Sequence, residues 1–239
     1  MPRFFADCTH QDFVQLSPED SKHIAKSLRM KTGDTLTVCD GNGTDLECEI
    51  AEISGECVSV RVLRRKASTG EADVDITIYQ ALPKSDKMDG IVQRAVELGA
   101  KKIVPVLTER CVSRPDAKAC KVKVARWNKI ALESAMQCGR GIIPQVGEVT
   151  DFKRALQDIS ADRVIIFYEG GGVPLREMDI KKGERIAVIV GPEGGFEISE
   201  VELAKQAGAV VGSLGPRILR TQTASLAATA AIMYITENM

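Results

Sequence analysis

Three glycine-rich stretches stand close together in the last third of the chain: YEGGGVP (168–174), GPEGGFE (191–197) and GPRILRTQT (215–223). Each continues an apolar run of strand character, RVIIFYE, RIAVIV and VVGSLG in turn. Glycine at such an exit lets the backbone turn tightly or come close to a ligand. In an open parallel sheet, ligands settle outside the carboxyl ends of the strands. A single turn of this kind is as well explained by geometry alone. Three in succession point to one composite pocket.

The occupant of such a pocket is not expected to be a phosphate. The stretch GPEGGFE matches neither G-x-x-x-x-G-K-[ST] nor G-x-G-x-x-G, and Glu193 places a negative charge where phosphate loops place amides or lysine. A ligand that carries positive charge and reads backbone hydrogen-bonding groups fits better. S-adenosylmethionine, with a sulfonium, an adenine edge and no phosphate, is such a ligand.

The elements that position these loops follow from periodicity. Up to about residue 66 the chain is β-rich: after a helix over SPEDSKHIAKSLRM, the runs DTLTVCD, DLECEIAEI and ECVSVRVL are separated by the turn residues Asp40-Gly41-Asn42-Gly43 and Ser54-Gly55. Short consecutive hairpins of this type predict a small barrel. Ser17 as N-cap, Pro18 at the first helical position and Asp20 form a capping-box pattern for the helix.

The polar stretch KASTGEADVD (66–75) divides a domain of residues 1–68 from one of residues 69–239. Beyond it, strand-like and helix-like segments alternate: VDITIYQAL, SDKMDGIVQRAVELGA, KIVPVL, ARWNKIALESAMQC, TDFKRALQDIS, RVIIFYE, RIAVIV, SEVELAKQAG, VVGSLG and TASLAATAAIMYI. Near-continuous apolar strands between helices predict an α/β domain with a parallel sheet covered on both faces. The final helix is almost wholly apolar and small and must be buried, either in the core or across a dimer.

Composition narrows the classes. Of 239 residues 44% are apolar, enough for a substantial core, and the formal net charge of −1 means that a nucleic-acid-binding face has to be local. One Trp and three Tyr do not make a broad platform for stacking bases. No run of about 20 apolar residues is present and the opening MPRFFADCTHQD has no signal-peptide core, so a soluble, cytoplasmic protein is expected. The seven cysteines, Cys8, Cys39, Cys48, Cys57, Cys111, Cys120 and Cys138, include no C-x-x-C and read as reduced thiols rather than disulfides or metal ligands. The sequon Asn42-Gly43-Thr44 is read as a turn.

The segments GPEGGFEISEVE and LGPRILRTQTA, with KSDKMDGIVQRAVELGA, RWNKIALESAMQCGRGIIP and HIAKSLRMKTGD followed by DGNG, resemble the SPOUT-class methyltransferases that modify N3 of a uridine in bacterial small-subunit (16S) ribosomal RNA. The resemblance covers most of the chain. It implies an N-terminal PUA-like β-barrel that binds RNA, a C-terminal domain containing a deep trefoil knot, S-adenosylmethionine bound bent within the knot, a homodimer, and no metal. The acceptor is expected within the small ribosomal subunit. By resemblance, Glu169, Gly191, Glu193, Gly194, Leu214, Gly215, Ile218, Leu219, Thr223 and Ala224 wrap the cofactor.

Methyl transfer to N3 needs alignment of nucleophile and methyl carbon, together with loss of the N3 proton. Arg217 and Arg220 lie in the final loop, where guanidinium groups can clamp a phosphate or stabilise the uracil oxygens as N3 becomes anionic. The sequence departs from the family at Gln222, where members usually carry Glu. Gln cannot take a proton, which puts a general base at that position in doubt. RNA contacts are assigned to Arg3, Arg29 and Lys31 on the barrel, to Lys84, Lys87 and Arg94 around the first helix of the large domain, and to Gln137 and Arg140, which with Glu133 fall at i, i+4 and i+7 of the long helix. His23 is given no catalytic part.

Two rival readings stay open. Gln222 keeps alive an inactive RNA-binding assembly factor of the same fold. A nucleotide-binding α/β enzyme acting on a small metabolite is the other, and it predicts stabilisation by ATP or NAD instead of S-adenosylhomocysteine.

Overall fold

The computed structural model describes residues 1–7, 11–55 and 57–239. Cys8, and Glu56 at the head of the ECVSVRVL run, lie outside the described residues. The chain forms two compact units, one of Met1–Glu71 with Ala135–Ile143 and the other of Ala72–Ser134 with Pro144–Met239.

The first unit holds strands β1 (Arg3–Phe5) and β2 (Phe13–Gln15), helix α1 (Pro18–Lys22), and strands β3 (Thr35–Cys39), β4 (Thr44–Ser54) and β5 (Cys57–Ala67). They form one sheet in the order β1-β3-β4-β5-β2. Alternation puts Leu46, Cys48 and Ile50 of β4 and Val58 and Val60 of β5 into a core with Phe4, Val14, Leu16, Ile24, Leu36 and Val38. Register shifts at Glu47/Cys48 and Ile50/Glu52 bend the long β4–β5 ribbon over this core.

The helix expected over 17–30 is present in two parts. Ser17 caps α1 through its Oγ, which accepts the Asp20 amide at 3.1 Å, and the chain continues as a π-helical turn, His23–Leu28, ended by Arg29 at φ 54°. The side chain of Asp20 accepts from the Ser17 hydroxyl at 2.7 Å.

The second unit contains β6 (Asp75–Ala81), α2 (Lys87–Glu97), β7 (Lys102–Leu107), α3 (Ala117–Cys138, whose last four residues count with the first unit), β8 (Gln145–Val146), β9 (Thr150–Asp151), α4 (Phe152–Asp158), β10 (Arg163–Phe167), β11 (Val173–Pro174), β12 (Arg185–Val190), α5 (Ile198–Gln206), β13 (Val210–Ser213) and α6 (Thr221–Ile235). The sheet order is β11-β13-β10-β12-β6-β7-β8, with β9 also on β7, and every pairing is parallel.

Central strands are buried on both faces, as their uninterrupted apolar runs require. Ile76 and Ile78 of β6 and Ile186 to Val190 of β12 are almost wholly enclosed. Each such Ile or Val side chain contributes about 1.5–3 kcal/mol on burial. The short strands β1, β2, β8, β9 and β11 carry too few residues to show a period, and sequence reading passes over them.

Among the described residues no disulfide joins any of the six cysteines, and no group of metal-ligating side chains occurs. Among them, too, no helix is long and apolar enough to cross a membrane.

Candidate active site

Strands β13, β10 and β12 are neighbours, and their register aligns Phe167 with Val190 on one side and with Gly212 on the other. The three glycine loops therefore leave the sheet along one edge. They enclose a cleft of about 560 Å³. Of the residues expected there, Glu169, Gly191, Glu193, Gly194, Leu214, Gly215, Ile218, Leu219 and Ala224 line it, and so do Arg217 and Arg220. Thr223 is not brought into the lining. It sits exposed on the first turn of α6, its amide donating to the Arg220 carbonyl at 2.8 Å. Gln222 is likewise absent from the lining.

The shape of the GPEGGFE loop is over-determined. A Cβ on Gly191 would lie 3.0 Å from the buried ring of Phe196, which packs on Phe152 at 5.6 Å between centroids. Gly195 has φ +69°, and a Cβ there would lie 2.7 Å from the Glu169 carboxylate. Glu197 and Glu200 close a capping box at the start of α5, and the second oxygen of Glu200 accepts the Glu109 amide at 2.9 Å. The Thr221 hydroxyl donates to the Gly191 carbonyl at 2.5 Å and accepts from Gln80 Nε2 at 2.9 Å, which ties the start of α6 to the loop after β12.

Charge is distributed differently from the sequence argument. Glu193 accepts from the Lys84 amide at 3.2 Å and from Lys87 Nζ at 2.7 Å. Burial works against its charge, but Lys87 and the backbone amides outweigh burial and hold its pKa below the usual range. Glu193 thus anchors the loop, and its charge is already matched. The carboxylate left to face a cationic ligand is that of Glu169, which lies against Gly195 in the cleft lining. Arg217 and Arg220 are exposed at the cleft, and among the described residues neither forms an ion pair.

The residues assigned to RNA fare unevenly. The Arg3 guanidinium is bidentate to the buried Asp45 at 2.7 and 2.8 Å, inside the first unit. Arg140 is likewise engaged. Gly139, at φ +86°, ends the long helix at Cys138, so the i, i+7 geometry does not extend to Arg140, whose side chain is 4% exposed and bound to Glu71 at 2.6 Å. Lys87 is committed to Glu193. Arg29, Lys31, Lys84, Arg94 and Gln137 are exposed, each on its own unit.

Sequence reading missed Arg110. Its Nε donates to Glu197 at 2.8 Å and its Nη1 to the Gly194 carbonyl at 2.9 Å, and its Cβ lies 3.3 Å from where a side chain on Gly194 would begin. It holds the glycine loop at Gly194 and Glu197, as Lys87 holds it at Glu193. A lone arginine more than eighty residues from its partners carries no local signal. Arg110→Ala is expected to weaken S-adenosylmethionine binding by about tenfold, as loss of a charged hydrogen bond at a pre-ordered loop does. Titration calorimetry checks this, with melting temperature nearly unchanged because Arg110 is largely solvated.

The cleft fits the expected cofactor on its own chemistry. Its volume lies within the range of small-molecule sites, and its walls combine apolar groups such as Val190, Leu214 and Leu219 with glycine backbone and the Glu169 carboxylate, which accepts no hydrogen bond among the described residues.

Comparison with known proteins agrees. A family model described as an RNA methyltransferase domain matches residues 70–233, and one described as an RNA methyltransferase PUA domain matches residues 16–63. The chain is 34% identical over 250 residues to "Ribosomal RNA small subunit methyltransferase E" of Bacillus subtilis, covering 99% of this chain and 98% of that protein. The structure of the protein of that name from Neisseria gonorrhoeae, bound to S-adenosyl methionine, superposes with a TM-score of 0.90 at 29% identity, covering 99% and 98% of the two chains. A Legionella pneumophila protein solved with bound SAM gives a TM-score of 0.90 at 29% identity over 98% of this chain and 97% of that one.

Proposed function

The chain belongs to the family of RNA methyltransferases with a PUA domain, and from that premise we propose that it methylates small-subunit ribosomal RNA with S-adenosylmethionine, at N3 of a uridine. The observation that carries this reading is the meeting of three glycine loops around one cleft whose lining holds two guanidiniums that form no ion pair among the described residues.

Bound in the cleft, S-adenosylmethionine supplies an electrophilic methyl group. The chain's own residues do the rest. Backbone of the loops at Gly191, Gly194 and Leu214 holds the adenosine and methionine parts, and Glu169 offers negative charge to the sulfonium. Arg217 and Arg220 would face the uracil oxygens and favour the N3 anion, with the N3 proton lost to water. Gln222 is not among the residues that line the cleft, so in this reading position 222 is given no part as a base.

The partner and compartment follow the same reading. On α6, Ser225, Ala228, Thr229, Ile232 and Met233 are buried within the unit, whereas Leu226, Ala227, Ala230 and Ala231 are half-covered and Tyr234 is 74% exposed. This second apolar stripe is the surface assigned to a homodimer, whose mass light scattering checks. The protein acts in the cytoplasm, where its substrate is made. The trefoil knot implied by the resemblance belongs to this reading too, and a crystal structure traced through residues 163–235 checks it.

Purified protein given radiolabelled S-adenosylmethionine and undermethylated small subunits is expected to label one nucleotide, which mass spectrometry identifies as N3-methyluridine. Intact RNA binding with no label would sink the proposal in favour of an inactive binder. Stabilisation by ATP or NAD alone would favour the nucleotide enzyme.

A further inference from the structure

The first half of α3 carries Lys118, Lys121, Lys123, Arg126 and Lys129, with no acidic residue between positions 117 and 132. In a chain of net charge −1 this is a concentrated positive segment. Lys118, Lys121, Arg126 and Lys129 are exposed, whereas Trp127 and Ala131 are buried. Helical spacing sets these four cations on the solvent side as a ridge, and Lys123, four residues before Trp127, lies partly exposed at its edge.

The ridge borders a second cleft, of about 460 Å³, lined by Lys118, Lys123 and Arg126 on α3 and by Ser85, Asp86 and Asp89 before and at the start of α2. Its acids are mostly committed. Asp89 accepts from Arg126 and from Trp127 Nε1, the latter at 3.0 Å, and Asp116 accepts the Ala119 amide at 2.7 Å, leaving Asp86 at the head of α2. Among the described residues Lys118, Lys121 and Lys123 have no ion-pair partner.

The loop between β6 and α2 joins this cleft to the cofactor cleft. Lys84 and Lys87 hold Glu193 of the cofactor cleft, and Ser85 and Asp86 between them line the second one. Four residues span at most about 14 Å. Ser85 has φ 58°, a backbone conformation that a non-glycine residue keeps only where its surroundings fix it.

Resting on the reading of the protein as a ribosomal RNA methyltransferase, we infer that the α3 ridge is a docking surface for the phosphate backbone of the RNA strand flanking the target uridine, with Lys118, Lys121 and Lys123 as its phosphate contacts. Exposed, unpaired lysines beside a cleft suit a polyanion, whereas the lack of exposed aromatic groups on the ridge gives bases nothing to stack on.

The test measures binding of a small-subunit RNA fragment against salt, for the full chain and for Lys118→Gln/Lys121→Gln/Lys123→Gln. The slope of log K against log salt is expected to fall by about 2, at roughly 0.7 per lost single-strand phosphate contact, with affinity at low salt down by about tenfold or more. Binding of S-adenosylmethionine should not change, which also reports that the variant is folded. A control, Lys153→Gln/Arg154→Gln/Lys205→Gln, removes equal charge from α4 and α5 and should leave the slope unchanged.

An unchanged slope in the ridge variant, with wild-type protein methylating the RNA normally, overturns the ridge and leaves the enzymatic reading intact. An equal fall in the control variant overturns it as well, since bulk charge would then explain the effect. Wild-type protein that neither binds nor labels RNA overturns the reading and the ridge together.

Discussion

Arg217→Ala and Arg220→Ala are each expected to slow methyl transfer to ribosomal RNA by about 10²–10³-fold while S-adenosylmethionine binds nearly as before, the scale seen when one pre-positioned donor to a developing anion is removed. Both guanidiniums line the cleft, and among the described residues neither is tied to a carboxylate. A donor already paired would have to break that pair to act. Lysine at either place should recover only part of the rate, because an ammonium cannot present two parallel N–H groups to neighbouring oxygens. Single-turnover rates with saturating cofactor separate the chemistry from binding. A rate within twofold of wild type in both alanine variants would remove these arginines from the reaction.

Asp45→Ala is expected to cost the first unit about 3–5 kcal/mol, the usual consequence of leaving one member of a buried ion pair alone. Asp45 is the centre of its network. It accepts two bonds from Arg3, one from Ser68, and one from the Cys39 thiol at 3.2 Å, with its side chain 3% exposed. Burial raises its pKa, yet these donors, Arg3 foremost, bring it down to about 2. The free carboxyl of an unfolded chain titrates near 3.9.

The sign of the pH effect follows. Because the folded pKa is the lower one, the stabilisation is complete above about pH 4 and is lost as pH falls towards 2. Denaturant melts of wild type should weaken over that window, and those of Asp45→Asn should weaken less. The same surroundings, burial first and then Asp45, push the Cys39 thiol up to about 12, so it stays protonated and unreactive.

The architecture around the site was readable because periodicity is a property of consecutive residues. Runs such as RIAVIV and VDITIYQAL announce doubly buried strands, and the glycine loops announce their carboxyl ends. The structure then brings those ends together through a strand order that no single run encodes. What stayed hidden depends on pairs distant in sequence. Nothing near Arg140 reveals Glu71, nothing near Arg3 reveals Asp45, and nothing near Arg110 reveals Gly194.

Glu193 is a different case. Its charge was visible but its direction was not, and the lysines that claim it sit on another loop. Helix length was misjudged for a similar reason: α3 begins at Ala117, eight residues before the apolar stretch that marked it, because KVKV alternates too evenly to show a helical period.

Gly171, Gly191, Gly194, Gly195, Gly212 and Gly215 present main chain alone to the cleft, and two of these positions are locked, by Phe196 behind Gly191 and by Glu169 beside Gly195. A drug that imitates the natural ligand would press there on atoms every amino acid shares. Escape by a single substitution at those glycines would also disturb the loops that hold the natural ligand, whereas side-chain positions such as Leu214 and Leu219 stay open to it.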